Sequence, residues 1–353
     1  MKTVLTIVSF IVTGIFTALF FGFNINNTTQ SLEYDDEQEG IKDEIVINFS
    51  HVVAENSPKG MAARRFESLI EERSHGEIKV QIHPNGSLYN DVSEYEALKN
   101  GNVEMIAPAT TKLTDRYPNW QVLDLPFVFP TYGAVQETYE GEIGQALLSE
   151  LKRDNIEGLT FWYNGYKQIT NNTKPIIHPD DFRHLHFRTM GGPAVKAQFH
   201  QLGASTSVLP FNKTYENLEV DFVNGQENTT SNIYSKKLYR HQSYMTLSNH
   251  GYLGYAVLIN QDFWESLSEE HQKIISAALE ETTDWIRRHS IEINDEHNRQ
   301  LRQQEDFQID YLTKEQRDLW KQKLLPVYKE TETEVDKKIM KQVYKLKNKY
   351  ENE

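Results

Sequence analysis

Apolar and polar positions change period repeatedly along the chain, and each change marks a new element. Ile45, Ile47 and Phe49 alternate with polar residues, the pattern of a half-buried strand. Ser57-Pro58 opens a helix in the favoured order of cap then proline, running to about Arg73 with Met61, Phe66, Leu69 and Ile70 inward. Ile78, Val80 and Ile82 alternate again and stop at Pro84-Asn85-Gly86. A helix over 91–100 ends at Gly101, and 103–107 reads as a buried strand. This β-α-β-α-β order predicts an α/β fold with a mostly parallel sheet.

Further on, 123–129 is an apolar loop, 132–152 is helical and 159–163 is a strand. The polar tract Asn164 to Asn172 reads as a crossing into a second domain. The stretch 182–249 then organises the rest. Leu185 to Thr189 forms a short strand, 193–202 a helix broken at Gly203-Ala204, and a further strand ends at Pro210 before a short helix from Asn212. Val223 to Asn228 reads as a Gly-bearing turn that opens a helix over 229–238. Residues 253–260 form a buried strand returning to the first sheet. Ser266-x-x-Glu269 gives a capping box for a long helix striped by Ile274, Ile275, Ala278, Leu279, Thr282, Trp285 and Ile286. From Thr313 the chain is helical and charged, and Pro326 is expected to kink or interrupt it.

Composition narrows the function. At 353 residues, two domains are the natural division. A formal net charge of -14 is a poor match to nucleic acid or an anionic membrane surface. Cysteine is absent, which removes disulfides, thiolate metal sites, a cysteine nucleophile and a lipid-bearing cysteine. Residues 4–23 carry no charge, long enough at ~1.5 Å per residue to cross a hydrocarbon core of about 30 Å. Lys2 before this stretch and Asp35, Asp36, Glu37 and Glu39 after it put the N-terminus inside and the body outside. An uncleaved single-pass anchor and a cleaved signal that leaves a secreted protein both satisfy this. The body is extracytoplasmic in either case, with 24–43 as an acidic tether.

Candidate chemistry is sparse. Nucleophile-elbow, zincin, P-loop and dinucleotide motifs are missing, so neither an enzyme nor a cofactor is indicated. His184-x-His186 places two imidazoles on one strand face without an evident third ligand, so no metal site is assigned. The lysines between Lys337 and Lys349 read as a solvated helical face. Ligands of open α/β sheets bind beyond the carboxyl ends of strands, which brings forward His51 and Ala109-Thr110-Thr111-Lys112. Arg188 on a strand end offers a two-point fork for a carboxylate, and Asn228 a polar group at a helix start. Taken singly, Arg188, Lys167 and Lys112 also fit salt bridges or exposed cations, Asn228 an N-cap, and His51 a satisfied loop histidine.

Trp162-Tyr163-Asn164-Gly165-Tyr166-Lys167-Gln168, Phe187-Arg188, Ala197-Gln198-Phe199 and Leu202-Gly203-Ala204 carry a family likeness, together with Gly225-Gln226-Glu227-Asn228-Thr229-Thr230-Ser231-Asn232-Ile233-Tyr234 and Ser248-Asn249-His250-Gly251-Tyr252. More loosely, Ser57-Pro58 to Phe66 and Asn85-Gly86-Ser87-Leu88 add to it. Through these runs the chain, from Glu44 to about Tyr328, resembles the C4-dicarboxylate-binding subunit (DctP type) of the tripartite ATP-independent periplasmic (TRAP) transporters. The resemblance implies a two-lobed extracytoplasmic solute-binding protein, type II periplasmic-binding-like, with a long helix spanning both lobes. The expected lobes are 44–164 plus 254–293 and 165–253 plus 294–353. It also implies that Arg188 grips a carboxylate and Asn228 bonds the ligand. Lys167 stands where sialic-acid-binding relatives carry an arginine, and their sugar-binding acid falls near Ala109, where no acid exists. That departure favours a small diacid such as succinate, malate or fumarate over a sugar acid. Lys112 and His51 are further expected contacts, and Phe211 a wall of the pocket. The implied partner is a TRAP membrane subunit; the alternative is a sensor histidine kinase, with the protein as an anchored co-sensor.

Overall fold

The computed structural model describes residues 44–351. Among them are the strands β1 (Ile45–Ser50), β2 (Ile78–His83), β3 (Met105–Ile106), β4 (Ile156–Asn171), β5 (His186–Thr189), β6 (Ser205–Val208), β7 (Gly225–Thr229), β8 (Tyr244–Asn260) and β9 (Gln308–Tyr311). They make a single sheet in the order β2-β1-β3-β8-β4-β7-β5-β6, with β9 added beside β8. Across β1, β2 and β3 the sheet is parallel, as the β-α-β-α-β order predicts, while the sheet as a whole is mixed. Two parallel groups, β2-β1-β3 and β6-β5-β7, are joined through the antiparallel pair β4 and β8. These two strands have 16 and 17 residues, about three times the usual strand length. Each runs through both lobes, and β8 must run back along β4 to close the sheet. Their pairing shifts register between Tyr163 and Gly165 and again between Lys167 and Ile169.

The polar tract after Tyr163 therefore continues a strand and is not a loop. Alternation fails there because residues distant in sequence satisfy its buried polar groups: Gln226 Nε2 on β7 donates to Thr170 Oγ1 at 2.8 Å, and Thr170 Oγ1 donates to Gln242 Oε1, just before β8, at 2.9 Å. The expected turn at Gly225 is likewise a strand, β7. A Cβ at Gly225 would stand 2.3 Å from Thr170 O and 2.6 Å from Phe187 Cε1, so the glycine serves close strand packing. Thr229 caps the next helix, Thr230–Ser235.

Other boundaries shift for local reasons. The predicted helix over 132–152 divides into Tyr132–Glu140 and Glu142–Ser149 around extended Gly141. Ser268, not Ser266, caps the long helix Glu269–Leu301 by accepting from His271 N. The helix Lys314–Thr331 runs through Pro326 without interruption. Met61 lies on the exposed side of Pro58–Arg73. The 33-residue helix Glu269–Leu301 packs on Pro58–Arg73 in one lobe and on Thr230–Ser235 in the other. The last helix, Lys337–Glu351, buries Ile339, Met340, Val343 and Leu346, packs on Tyr132–Glu140 and turns most of its lysines to solvent.

Among the described residues no helix is long and apolar enough to cross a membrane; the anchor and tether expected over 1–43 lie outside them. No group of three or more metal-ligating side chains occurs among the described residues either. His186 Nε2 meets Ser207 Oγ at 2.9 Å, while His184 is exposed.

Candidate functional site

A narrow cavity of about 20 Å³ lies where the lobes meet. One side supplies Lys59, Asp91 and Lys112, the other Phe211, Asn228 and Asn232, and β8 adds Tyr255. Lys59 is on the first turn of Pro58–Arg73, capped by Ser57, whose hydroxyl accepts from Gly60 N. Lys112 stands on the short 3₁₀ turn after β3. Asn228 is held on β7 opposite Gln168 of β4. Its Oδ1 accepts from Thr229 N at 3.1 Å and from Asn232 Nδ2 at 2.8 Å, which leaves the amide nitrogen for a ligand.

Arg188 lies on β5, fully buried beneath Phe211, whose ring is 5.6 Å from the guanidinium carbon. Its Nε and Nη2 donate to Leu209 O at 3.0 and 2.8 Å, whereas Nη1 has no partner. Asp91 Oδ2 is 3.9 Å from Arg188 Nη2 and 2.9 Å from Lys112 Nζ, and Asp91 Oδ1 accepts from Phe211 N at 3.0 Å. One carboxylate thus reaches both cations and the backbone of the opposite lobe.

Two expected contacts fall elsewhere. Lys167 is buried in an ion cluster, 3.2 Å from Glu227 Oε1 and 3.5 Å from Asp124 Oδ1. Desolvation opposes its charge, but Glu227 and Asp124 outweigh that and raise its pKa. Burial also works against Glu227, yet Lys167 and His250 hold its carboxyl down at about 2. Lys167 does not line the cavity because these two carboxylates take its ammonium. His51 is fully buried with both ring nitrogens unpartnered; desolvation, with Lys59 next, pulls its pKa down to about 3 and keeps it neutral. Arg188 is adjacent to the cavity, and Lys112, Asn228 and Phe211 line it.

Lys59 was not foreseen. It is fully buried, donates to Ala107 O at 2.7 Å and sits 4.1 Å from the centre of the Tyr255 ring. Glu94, also buried, has neither carboxyl oxygen bonded. Desolvation pulls Lys59 down and pushes Glu94 up, each to about 8. The sequence held a signal for both. Lys59 shares a helical face with Ala62, Ala63, Phe66 and Ile70, and Glu94 with Ala97 and Leu98.

Residues 49–334 match the family model of bacterial extracellular solute-binding protein, family 7 (DctP). The chain belongs to this family. This family 7 protein is 43% identical over 347 residues to the C4-dicarboxylate-binding protein DctB of Bacillus subtilis (strain 168), covering 98% of this chain and 99% of the relative. It is 39% identical to the C4-dicarboxylate-binding periplasmic protein DctP of Rhodobacter capsulatus, over 81% of this chain and 86% of that protein. Among solved structures, it matches a TRAP periplasmic solute-binding protein of Shewanella oneidensis with bound succinate at a TM-score of 0.84. That match has 37% identity and covers 86% of this chain and 99% of the other. A TRAP periplasmic solute-binding protein of Pseudomonas aeruginosa PAO1 with bound L-malate matches at 0.79, with 31% identity over 81% and 99% of the two chains. The two-lobed α/β fold is that of the extracytoplasmic solute-binding proteins, and this family 7 protein works outside the cytoplasm.

Proposed function

We propose that the protein binds C4-dicarboxylates such as succinate, malate and fumarate, delivers them to a TRAP membrane subunit, and catalyses no reaction. The supporting observation is the buried Arg188, with Nη1 unpartnered beside a cavity on which Asn228 and Lys112 converge. A carboxylate entering there takes Nη1 and the Asn228 amide, and the second carboxylate lies toward the lobe that carries Lys112. Charge-assisted bonds contribute about 1.5–3 kcal/mol each. A few of them, less the cost of ordering, reach micromolar affinity, about -8 kcal/mol.

Uptake and release follow from rotation of the lobes, 44–164 plus 254–293 against 165–253 plus 294–353, about the register shifts where β4 and β8 cross. Calorimetry with succinate tests the assignment. Micromolar binding lost in Arg188→Ala and strongly weakened in Arg188→Lys is the expected result, because the compact lysine ammonium cannot bond Leu209 O and the ligand with the guanidinium's geometry. Unchanged affinity in Arg188→Ala would refute the clamp.

The uncharged stretch 4–23 and the lack of a lipid-bearing cysteine favour a second reading, a single-pass anchored co-sensor that docks on a sensor histidine kinase. Membrane fractionation of the intact protein checks the anchor. Comparing dicarboxylate uptake with transcription of an uptake gene in a deletion strain separates the roles. Lost induction with uptake rescued by independent transporter expression selects the sensor.

A further inference from the structure

The diacid reading accounts for Arg188, Asn228 and Lys112 but leaves Lys59 and Glu94 without a role. Neither is an ordinary core residue. A buried ammonium usually has a carboxylate within hydrogen-bond reach, whereas Lys59 has one carbonyl, Ala107 O, and a ring face. Lys59 lines the cavity directly. Glu94 lines an adjoining cavity that shares Asp91 and Lys112 with the first, and its two oxygens have no donor. An ionised carboxylate so placed is costly, and a protonated one much less so.

We infer that Lys59 holds the distal carboxylate of the diacid, and that the buried Lys59–Glu94 pair gains a proton when the dianion enters. This inference rests on the diacid reading above. Charge balance supports it. With Glu94 protonated, the cations Lys59, Lys112 and Arg188 stand against the single carboxylate of Asp91. Two positive charges remain, the complement of a dicarboxylate dianion.

The groups facing the pair are few. His51, Asp91 and Tyr255 face Lys59; Asp91, Lys112 and Tyr255 face Glu94. His51 stays neutral because burial pulls its pKa down, and Tyr255 stays a neutral phenol because burial pushes its pKa up to about 12. Burial pulls Lys59 down and pushes Glu94 up, so without a ligand charge beside it the pair shares its protons near pH 8. A dianion beside it stabilises the ammonium and repels an ionised Glu94. Both effects raise proton affinity, so binding takes up a proton from solvent and weakens as pH rises above 8.

The test is calorimetry of succinate binding to the full chain at pH 8, in buffers of different ionisation enthalpy. Wild type is expected to take up about one proton per ligand at most, with affinity falling up to about tenfold per pH unit above 8. The paired substitution Lys59→Met with Glu94→Gln removes the charges and keeps the volumes. It should take up no proton and bind succinate about 100-fold more weakly, while a cooperative melt confirms the fold. If that variant does not melt cooperatively, Glu94→Gln alone decides: its affinity-versus-pH curve must depart from wild type between pH 7 and 9. Wild-type affinity and proton count in the paired variant, or an unaltered curve in Glu94→Gln, would overturn the inference and leave the diacid reading standing. Wild type that binds no succinate, malate or fumarate would bring down both.

Discussion

The molecule buries two clusters of charge, and they are built to opposite rules. Around Lys167, each ion has at least one partner and only Asp124 Oδ2 is left unbonded: Glu227 and Asp124 flank the ammonium, His250 Nε2 meets Glu227 Oε2 at 3.0 Å, and Thr111 donates to Asp124 Oδ1 at 2.6 Å. Around the cavity the groups are under-partnered. Arg188 Nη1 has nothing to donate to, Glu94 accepts nothing, and Asp91 is divided between two cations. Both clusters contain a buried lysine, so burial alone does not distinguish a ligand site from a structural one. The unfilled hydrogen-bonding capacity does. The more nearly saturated cluster ties Asp124 to Lys167 and Glu227, while the under-partnered one keeps capacity for a guest.

Substitutions should separate the two clusters by which property they damage. The largest effect on binding is expected for Arg188→Ala, at least ~100-fold in succinate affinity by calorimetry, since the free Nη1 donor and the buried positive charge go with it. The largest effect on stability is expected for Lys167→Met. It strands Glu227 and Asp124 in the interior and should cost about 3–5 kcal/mol in denaturant unfolding, with the folded fraction still binding succinate. Near-normal stability in Lys167→Met would erase the distinction.

Acid should act through the saturated cluster. Glu227 is held at about 2, below the ordinary carboxylate range, so it adds stability that is complete above that range. This stability is lost as pH falls from about 4.5 toward 2, and in Glu227→Gln that part of the pH profile should flatten. Asp124 opposes the trend, because burial raises its pKa and its protonation favours the folded state. The smallest shift is expected for Asp91→Asn, which keeps an acceptor for Phe211 N but frees Lys112 and Arg188 from a competing carboxylate. Succinate should then bind more tightly by about 1 kcal/mol, roughly fivefold.

How far the chain discloses this in advance varies by region. The first lobe was legible because β1, β2 and the helix Pro58–Arg73 follow simple periods and carry ordinary punctuation at Ser57-Pro58 and Pro84-Asn85-Gly86. The strands that make the crossing were not. Asn164, Gln168, Thr170 and Asn171 on β4 and Gln226 and Asn228 on β7 are polar yet buried, since their partners lie on strands distant in sequence. Alternation reads one strand at a time and misses such pairs. Phe211, Lys112 and Asn228 line the cavity, but Lys167 is taken by Glu227, a pairing 60 residues apart that no local pattern displays. Lys59 went unnoticed because a lysine in a first helical turn is ordinarily a surface residue, although its own stripe pointed inward.

The long pair β4 and β8 has a consequence for how the molecule is made. β3 reaches the rest of the sheet through β8, and β8 ends at Asn260. The N-terminal lobe thus cannot complete its sheet until more than two-thirds of the polypeptide has emerged. Maturation after export cannot proceed lobe by lobe, and a gene split between the two strands would yield fragments that each present a raw edge until they meet.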